Sequence, residues 1–332
     1  MFLKRIIHKF KLNHTPVRSL KTYLTPEKKF HFHFNKYKFD KHTNQVTLDI
    51  YKTNNVSVYT KYGILVGDGK DFCLNQKSFK FVIQESTQDC LEKVIATTKE
   101  NILDNNKVKF LKLKNSSYIV NNPATRKNYC HFLMESYLKI LLILFSGEKK
   151  INLLYSNDIV SFEKEHIKVL KNVFPKNINL KKINLTLPIK IKSNVYIVSS
   201  VRFIGGNFIR HPVELVKNIP KKITSNLKFK KLFLRKNKKI ILISRSHSRI
   251  IKNEKEIKKK IPEIEFYNFN NLSVKKQIEL FYNAKVIISV FGAALANLIF
   301  SNNNTKLIYL IPKNFLQYNS GVDEYTDMAK SL

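Results

Sequence analysis

A regular alternation of strand and helix patterns between residues 239 and 311 constrains the fold of this chain most strongly. Short apolar runs predict strands at 239–244, 264–267, 286–290 and 306–311. Helix patterns lie between them at 253–260, at 273–282 with Ser273 as a plausible N-cap, and at 295–300. This alternation predicts a parallel, doubly wound sheet. Such sheets bind ligands at the carboxyl ends of their strands, where Ser244, Arg245, Phe291 and Gly292 are expected.

The upstream residues predict a second α/β unit. Residues 151–155 and 195–201 have strand patterns, and the predicted helices cover 129–145, 162–173 and 211–217. Shorter strand patterns lie at 30–34, 56–59, 63–66, 79–83 and 108–113. We therefore divide the chain into a basic N-terminal segment (1–45), an N-terminal α/β domain (46–220) and a C-terminal Rossmann-like domain (221–332). Residues 221–238 are rich in Lys and show little apolar periodicity, so we expect an interdomain linker there.

The charge of the chain is a weak guide to its function. The net charge of +36 over 332 residues comes almost entirely from Lys, because only eight of the 60 basic residues are Arg. A solvated Lys-rich surface is the simpler interpretation, and attraction to anionic lipid, nucleic acid or an anionic substrate is the functional one. No nucleic-acid-binding module is recognisable, so we expect no nucleic-acid partner. Arg binds phosphate better than Lys does, which makes each Arg of this chain informative.

Cysteine content and apolar runs bear on the compartment. Cys73, Cys90 and Cys130 are odd in number and widely spaced, which favours a reducing compartment and argues against a disulfide framework or a structural zinc site. The longest apolar run, Ile140 to Phe145, is too short to span a bilayer. Apolar residues at helical spacing in the basic stretch 1–10 would suit peripheral contact with an anionic membrane, and equally an ordinary helix packed on its own domain. We therefore expect a cytoplasmic protein, with peripheral membrane contact left open.

The first segment with chemical potential runs from Asn128 to Glu135, with the sequence NYCHFLME. His131 and Glu135 are four residues apart, so on a helix they share one face. An imidazole beside a carboxylate can act as a general base toward a hydroxyl group. An ordinary polar pair on a helix explains the same spacing, and the sequence is not the H-E-x-x-H pattern of zinc proteases, so no metal is predicted.

Two further segments follow predicted strands. Ser244 to Arg249 places two Arg and three Ser in one loop, a composition that suits a diphosphate and also an ordinary basic loop. Gly292 and Ala293 connect a strand to a predicted helix, whose N-terminal amides would attract phosphate. Small residues there let the backbone approach a ligand closely.

In this order the three segments resemble glycosyltransferase family 61, also called the capsular polysaccharide biosynthesis or DUF563 type. The similarity rests on N-Y-x-H-F-x-x-E, on I-S-R-S…R…N-E, and on L-F-Y-N-A-K-V-I-I-S-V-F-G-A-A-L-A-N-L-I-F…T-K-L-I-Y-L, and it spans about 128–310. The resemblance implies a GT-B-like fold, with two Rossmann-type α/β domains facing a cleft. It also implies a nucleotide-sugar donor, no required metal or other cofactor, and inversion at the anomeric carbon.

The resemblance also implies roles for individual residues. Arg245, Ser246 and Arg249 would bind the donor diphosphate, and Gly292, Ala293 and Asn297 would lie at the phosphate-facing start of the helix. His131 and Glu135 would be catalytic on the acceptor side, with Glu135 as the candidate base and Asn128 as a further substrate contact. The acceptor would be a glycan or glycolipid of capsular or lipopolysaccharide synthesis, in domain 46–220, and the donor would bind to domain 221–332.

One position departs from the family pattern. The family usually has His before the Gly-Ala pair, as in H-G-A-G-L-T-N, and this chain has Phe291 there, with Ala294 and Ala296 at the next Gly and Thr positions. Loss of one charge-assisted contact would weaken donor binding by about one to two orders of magnitude, which a working enzyme tolerates. The alternative is a catalytically inactive relative that binds glycan or organises a polysaccharide assembly.

Overall fold

The computed structural model describes residues 28–33, 45–53, 56–58, 64–67, 70–73, 109–120, 128–156, 159–184, 189–198, 203–205, 208–210, 220–235, 239–302 and 304–312. Within these ranges the chain is an α/β protein, as predicted, and two of its sheets consist mainly of parallel strands. The first seven strands are β1 Lys28–His33, β2 Gln45–Thr53, β3 Val56–Val58, β4 Ile64–Gly67, β5 Lys70–Cys73, β6 Lys109–Leu111 and β7 Ser117–Ile119. The next six are β8 Ile151–Ser156, β9 Ile178–Ile183, β10 Ile189–Ile191, β11 Val195–Val198, β12 Phe203–Gly205 and β13 Phe208–Arg210.

A mixed sheet forms the first layer, in the order β1-β2-β11-β7-β8-β9. Strands β11, β7, β8 and β9 pair in parallel, whereas β1 and β2 join antiparallel at one edge. Two helices follow the parallel strands: α1, continuous over 129–145, and α2, Ser161–Val173. Separate from this sheet are the mostly antiparallel sheet β5-β4-β3-β10-β6 and the hairpin β12-β13.

The last four strands form a fully parallel sheet, as the sequence predicted. They are β14 Lys239–Ser244, β15 Ile264–Asn268, β16 Ala284–Val290 and β17 Lys306–Leu310, in the order β15-β14-β16-β17. The helices between them are α4 Glu254–Lys260, α5 Val274–Asn283 and a 3₁₀ helix at Ala293–Phe300. Ser273 caps α5 by accepting a hydrogen bond from the amide of Lys276, which confirms the predicted N-cap.

The expected linker at 221–238 is wrong for the residues described there. This stretch holds a helical turn at 220–224 and helix α3, Leu227–Phe233. Ile223, Phe229 and Phe233 are fully buried in the core. The helices here are too short to show a clear apolar periodicity among the surrounding lysines. Burial of these three side chains is what orders the segment.

One hydrophobic cluster joins the helices of both parallel sheets. It includes Leu133 and Leu141 of α1, Leu170 of α2, Phe281 of α5 and Phe300 of the 3₁₀ helix. Glu165 of α2 adds a polar link, because its Oε2 accepts a 3.0 Å hydrogen bond from the amide of Val274 at the start of α5. The two sheets are therefore held together through their helices.

Three sequence predictions lie outside the described residues: the strand at 79–83, the helix at 211–217 and the amphipathic stretch at 1–10. The other predicted strands and helices are present with ends shifted by up to three residues where they are described. None of the described helices combines the length and the apolar composition needed to cross a membrane.

Candidate functional site

Helix α1 begins at the first segment singled out from the sequence. Asn128 is exposed and caps the helix, its Oδ1 accepting a 3.1 Å hydrogen bond from the amide of His131. The middle of the helix, Phe132–Tyr137, is a π helix between α-helical turns at Tyr129–His131 and Leu138–Phe145. Short π segments inside α helices are frequent at functional sites, since they change which side chains share a face.

His131 and Glu135 form the predicted pair. The Nδ1 atom of His131 lies 3.2 Å from Oε1 of Glu135. The side chain of Glu135 is only 2% exposed, whereas that of His131 is 20% exposed. The imidazole is therefore the member of the pair that reaches the surface, and the carboxylate lies behind it.

Lys139 extends the pair one turn further, and it was not among the residues predicted from the sequence. Its side chain is buried. Burial lowers the pKa of Lys139 to about 8, against an opposing effect of the Glu135 carboxylate. Burial and the charge of Glu135 also raise the pKa of the Tyr118 hydroxyl on β7. Lys139 was detectable in principle, as a lone charged residue four positions after Glu135 inside an apolar run.

Arg245 and Gly292 bring the second and third segments together. Nη1 of Arg245, at the end of β14, donates a 3.3 Å hydrogen bond to the carbonyl of Phe291, at the end of β16. A Cβ atom added to Gly292 would lie 1.9 Å from that Nη1, so any other residue would displace the guanidinium. Glycine therefore leaves the space that the guanidinium occupies, and the backbone of Gly292 is itself extended. The two strand ends therefore meet, as the parallel topology predicted.

Arg249 lies over the aromatic ring that replaces the expected histidine. Its guanidinium carbon is 5.1 Å from the centre of the Phe291 ring, a cation–π distance. Arg249 is also in the left-handed backbone region, with φ of 54°. Ser246, between the two arginines, is exposed. Phe291 thus has a defined structural role, which is to support the second arginine of the loop.

The helix after Gly292 differs in type from the prediction. It is a 3₁₀ helix, Ala293–Phe300, where an α helix was expected. Ala293 is exposed at its start, and Asn297 is fully buried. Nδ2 of Asn297 donates to the carbonyl of Ala294 at 3.0 Å and lies 3.4 Å from Oε1 of Gln277. The side chain of Asn297 therefore holds the turn from behind, and its predicted donor contact stays a prediction.

A buried hydrogen-bond chain connects this turn to helix α1. The hydroxyl of Tyr129 donates a 2.7 Å hydrogen bond to Oδ1 of Asn297, across 168 residues of sequence. Nε2 of His166, on α2, lies 3.0 Å from the same hydroxyl. The hydroxyl hydrogen of Tyr129 is used in the bond to Asn297, so the Tyr129 oxygen can only accept a hydrogen bond from His166. Nε2 of His166 therefore carries a hydrogen and is the donor of that bond. All three sequence segments consequently converge in one region.

His166 is uncharged in this chain of hydrogen bonds. Burial lowers its pKa from 6.5 to about 3. Its ring stacks on Phe300 at 5.8 Å between centroids and packs edge-on against Tyr137. Its Nδ1 atom is buried and has no hydrogen-bond partner among the described residues. No sequence signal indicated this role, since His166 lies among Lys and Glu residues in an ordinary amphipathic helix.

The described ranges contain no group of three or more His, Cys, Asp and Glu side chains arranged to hold a metal ion. The cation-bearing groups near the Gly292 turn are instead the two guanidinium groups of Arg245 and Arg249. Chemically, the three segments offer positive charge held beside the Gly292 turn and an imidazole–carboxylate pair on helix α1.

Comparison with known proteins assigns the chain to a family. The model of the family described as glycosyltransferase 61 matches residues 129–308, which is 180 of 332 residues and more than half of the chain. No curated protein matches the sequence. The matched range begins at Tyr129 and ends within β17, so it contains all of the convergent residues except Asn128. The chain belongs to glycosyltransferase family 61 and is a glycosyltransferase.

Proposed function

We propose that this glycosyltransferase moves a sugar from a nucleotide-sugar donor to a hydroxyl group of a glycan or glycolipid acceptor, in the synthesis of capsular polysaccharide or lipopolysaccharide at the cytoplasmic side of the membrane. In this proposal the two parallel sheets are the cores of two Rossmann-type domains in a GT-B-like arrangement, with boundaries near residues 46 and 221. The observation that carries the proposal is the convergence of the three segments through Tyr129–Asn297 and Arg245–Phe291.

The donor diphosphate would bind at the ends of β14 and β16. Arg245 is fixed there by its hydrogen bond to the Phe291 carbonyl, and Arg249 by the Phe291 ring. Two guanidinium groups held in place before the reaction can stabilise the charge that develops on the leaving diphosphate, which makes a metal ion unnecessary. Ser246, Gly292 and Ala293 would provide the surrounding donors and the close backbone approach.

The acceptor would approach His131. The sequence alone suggested Glu135 as the base. Because His131 is more exposed than Glu135, we instead propose the imidazole as the base and the carboxylate as the group that orients it and stabilises its protonated form. The acceptor oxygen attacks the anomeric carbon as the bond to the diphosphate breaks, and the hydroxyl proton moves to His131. Attack from the face opposite the leaving group inverts the anomeric configuration. Asn128, at the exposed start of the same helix, would contact the acceptor.

Donor binding can be tested without knowing the acceptor. We expect at least one common nucleoside diphosphate to raise the melting temperature of the protein without added metal, and Arg245→Ala to abolish that shift. Lys168→Ala, which removes one positive charge from an exposed position of α2, is the matched control and should retain the shift. Absence of a shift with every nucleoside diphosphate would refute the donor site.

Catalysis requires a separate test. Nucleotide release from a panel of nucleotide sugars, measured with and without glycan acceptors, should fall about 10²- to 10⁴-fold in His131→Ala, while the melting shift with the nucleoside diphosphate persists. A protein that binds glycan and releases no nucleotide from any donor would instead support the inactive, assembly-organising alternative.

A further inference from the structure

Helix α3 carries an unusual outward face. Leu227 is 74% exposed and Leu234, which ends the helix, is 54% exposed. The two leucines are seven residues apart, so they lie on the same side of the helix, and Lys230 and Lys231 lie between them at positions three and four. The opposite side is filled by Phe229, which is buried in the core. The exposed leucines therefore form a continuous stripe with lysines, here called the α3 stripe (Leu227, Lys230, Lys231 and Leu234).

The segment that carries this stripe is charged with one sign only. Residues 220–235 contain no Asp or Glu, and their basic residues are Lys221, Lys222, Lys228, Lys230, Lys231 and Arg235. Arg235 is neutralised by Glu279 of α5, with Nη2 of the former 2.6 Å from Oε2 of the latter. The five lysines remain as an exposed positive surface around two exposed leucines. Lysines flanking protruding apolar side chains fit a surface that is anionic outside and apolar beneath.

A packing contact connects α3 to the 3₁₀ helix that follows the proposed donor turn. The Phe229 ring on the inner face of α3 stacks on Phe300, with 6.4 Å between centroids. Phe300 ends the 3₁₀ helix that begins after Gly292. At about 2 Å of rise per residue, that helix spans roughly 16 Å. Helix α3 therefore packs on the end of this helix that is distant from the donor turn.

We propose that the α3 stripe docks the protein on an anionic membrane, with Leu227 and Leu234 inserted at the level of the lipid headgroups and the lysines contacting the phosphates. This inference rests on the proposed function and deepens it, since an enzyme held at the membrane surface would act on a lipid-linked acceptor. Each lysine at the surface of an anionic bilayer contributes about fivefold to the partition coefficient.

The test uses the full chain and vesicles of phosphatidylcholine with and without 30% phosphatidylglycerol, with binding measured by cosedimentation. Three double variants are compared: Leu227→Gln/Leu234→Gln, Lys230→Gln/Lys231→Gln, and the control Lys259→Gln/Lys260→Gln on exposed positions of α4. We expect the leucine and lysine variants of α3 each to reduce partitioning into anionic vesicles at least tenfold. The α4 control should reduce it no more than twofold.

Two outcomes would overturn the docking surface. Equal effects of the α3 and α4 lysine pairs would show that the net charge of the whole chain, rather than α3, drives binding. Undiminished binding of the leucine variant to anionic vesicles would show that the leucines do not insert into the bilayer. The lysines would then be recognising negative charge alone, as they would on a soluble polyanion. The melting shift with a nucleoside diphosphate should be unchanged in every variant, so failure of this inference is distinguishable from failure of the donor site.

Discussion

Acid should destabilise this protein through the buried imidazole of His166. His166 has a pKa of 6.5 when unfolded and about 3 in the folded protein, because burial disfavours its charged form. Between these values the unfolded state binds a proton that the folded state does not, so stability falls as pH falls below 6.5. From pH 8 to pH 5 the loss from this residue alone is about 2 kcal/mol, and it approaches about 5 kcal/mol near pH 3.

The substitution His166→Gln isolates this effect. Glutamine is uncharged at every pH and can donate a hydrogen bond to Tyr129 in place of Nε2. It loses the stacking on Phe300, which costs stability by a similar amount at all pH values. The difference in unfolding free energy between the two proteins should therefore shrink by about 2 kcal/mol between pH 8 and pH 5.

The measurement is urea unfolding at pH 8, 6.5 and 5, monitored by far-ultraviolet circular dichroism, because the chain contains no Trp for fluorescence. The carboxylates titrate in both proteins, so their contribution cancels in the comparison. A difference between wild type and variant that stays constant within about 0.5 kcal/mol over this range would refute the assignment of His166 as a neutral buried donor.

Three further substitutions probe the site itself. Tyr129→Phe leaves Oδ1 of Asn297 buried without its donor, so we expect a loss of about 1–3 kcal/mol in urea unfolding. Lys139→Gln removes the cation beside the buried Glu135 carboxylate, so protonation of the His131–Glu135 pair becomes easier. The acidic limb of the plot of kcat/KM against pH should therefore move about one unit to higher pH, whereas Lys139→Arg keeps the cation and should leave that limb in place. Phe291→Leu keeps the apolar contact and loses the cation–π interaction with an arginine, so calorimetric titration should show nucleoside diphosphate affinity reduced about two- to fivefold.

The four-stranded parallel sheet was predictable because its signals are local. Each strand is a short apolar run flanked by a helix with its own start, such as Ser273, and parallel order follows from the alternation. The meeting of Arg245 with the Gly292 turn follows from the same rule, since both lie at strand ends. The fit of the Arg245 guanidinium against Gly292 does not follow from that rule, because it depends on side-chain positions across two strands.

What the sequence did not reveal depends on contacts between distant segments. Helix α3 is ordered by burial of Phe229 and Phe233 against the rest of the core, and its own residues look like a linker. Tyr129 was part of the motif, yet its role depends on Asn297, 168 residues away. The 3₁₀ form of the helix after Gly292 likewise has no local signal, because Ala and Leu are good α-helix formers.

The buried chain from His166 through Tyr129 to Asn297 limits how this enzyme can close on a donor. Rotating one of the two mainly parallel sheets against the other at this point would separate Tyr129 from Asn297 and leave one donor and one acceptor unpaired, at about 1–3 kcal/mol for each buried group. Ser246 and Ile250 of the Arg245 loop are exposed, and Arg249 holds a left-handed backbone there. Donor capture should therefore leave helix α1, the 3₁₀ helix and the guanidinium groups of Arg245 and Arg249 in place, with movement confined to the exposed positions of the loop between the two arginines, such as Ser246.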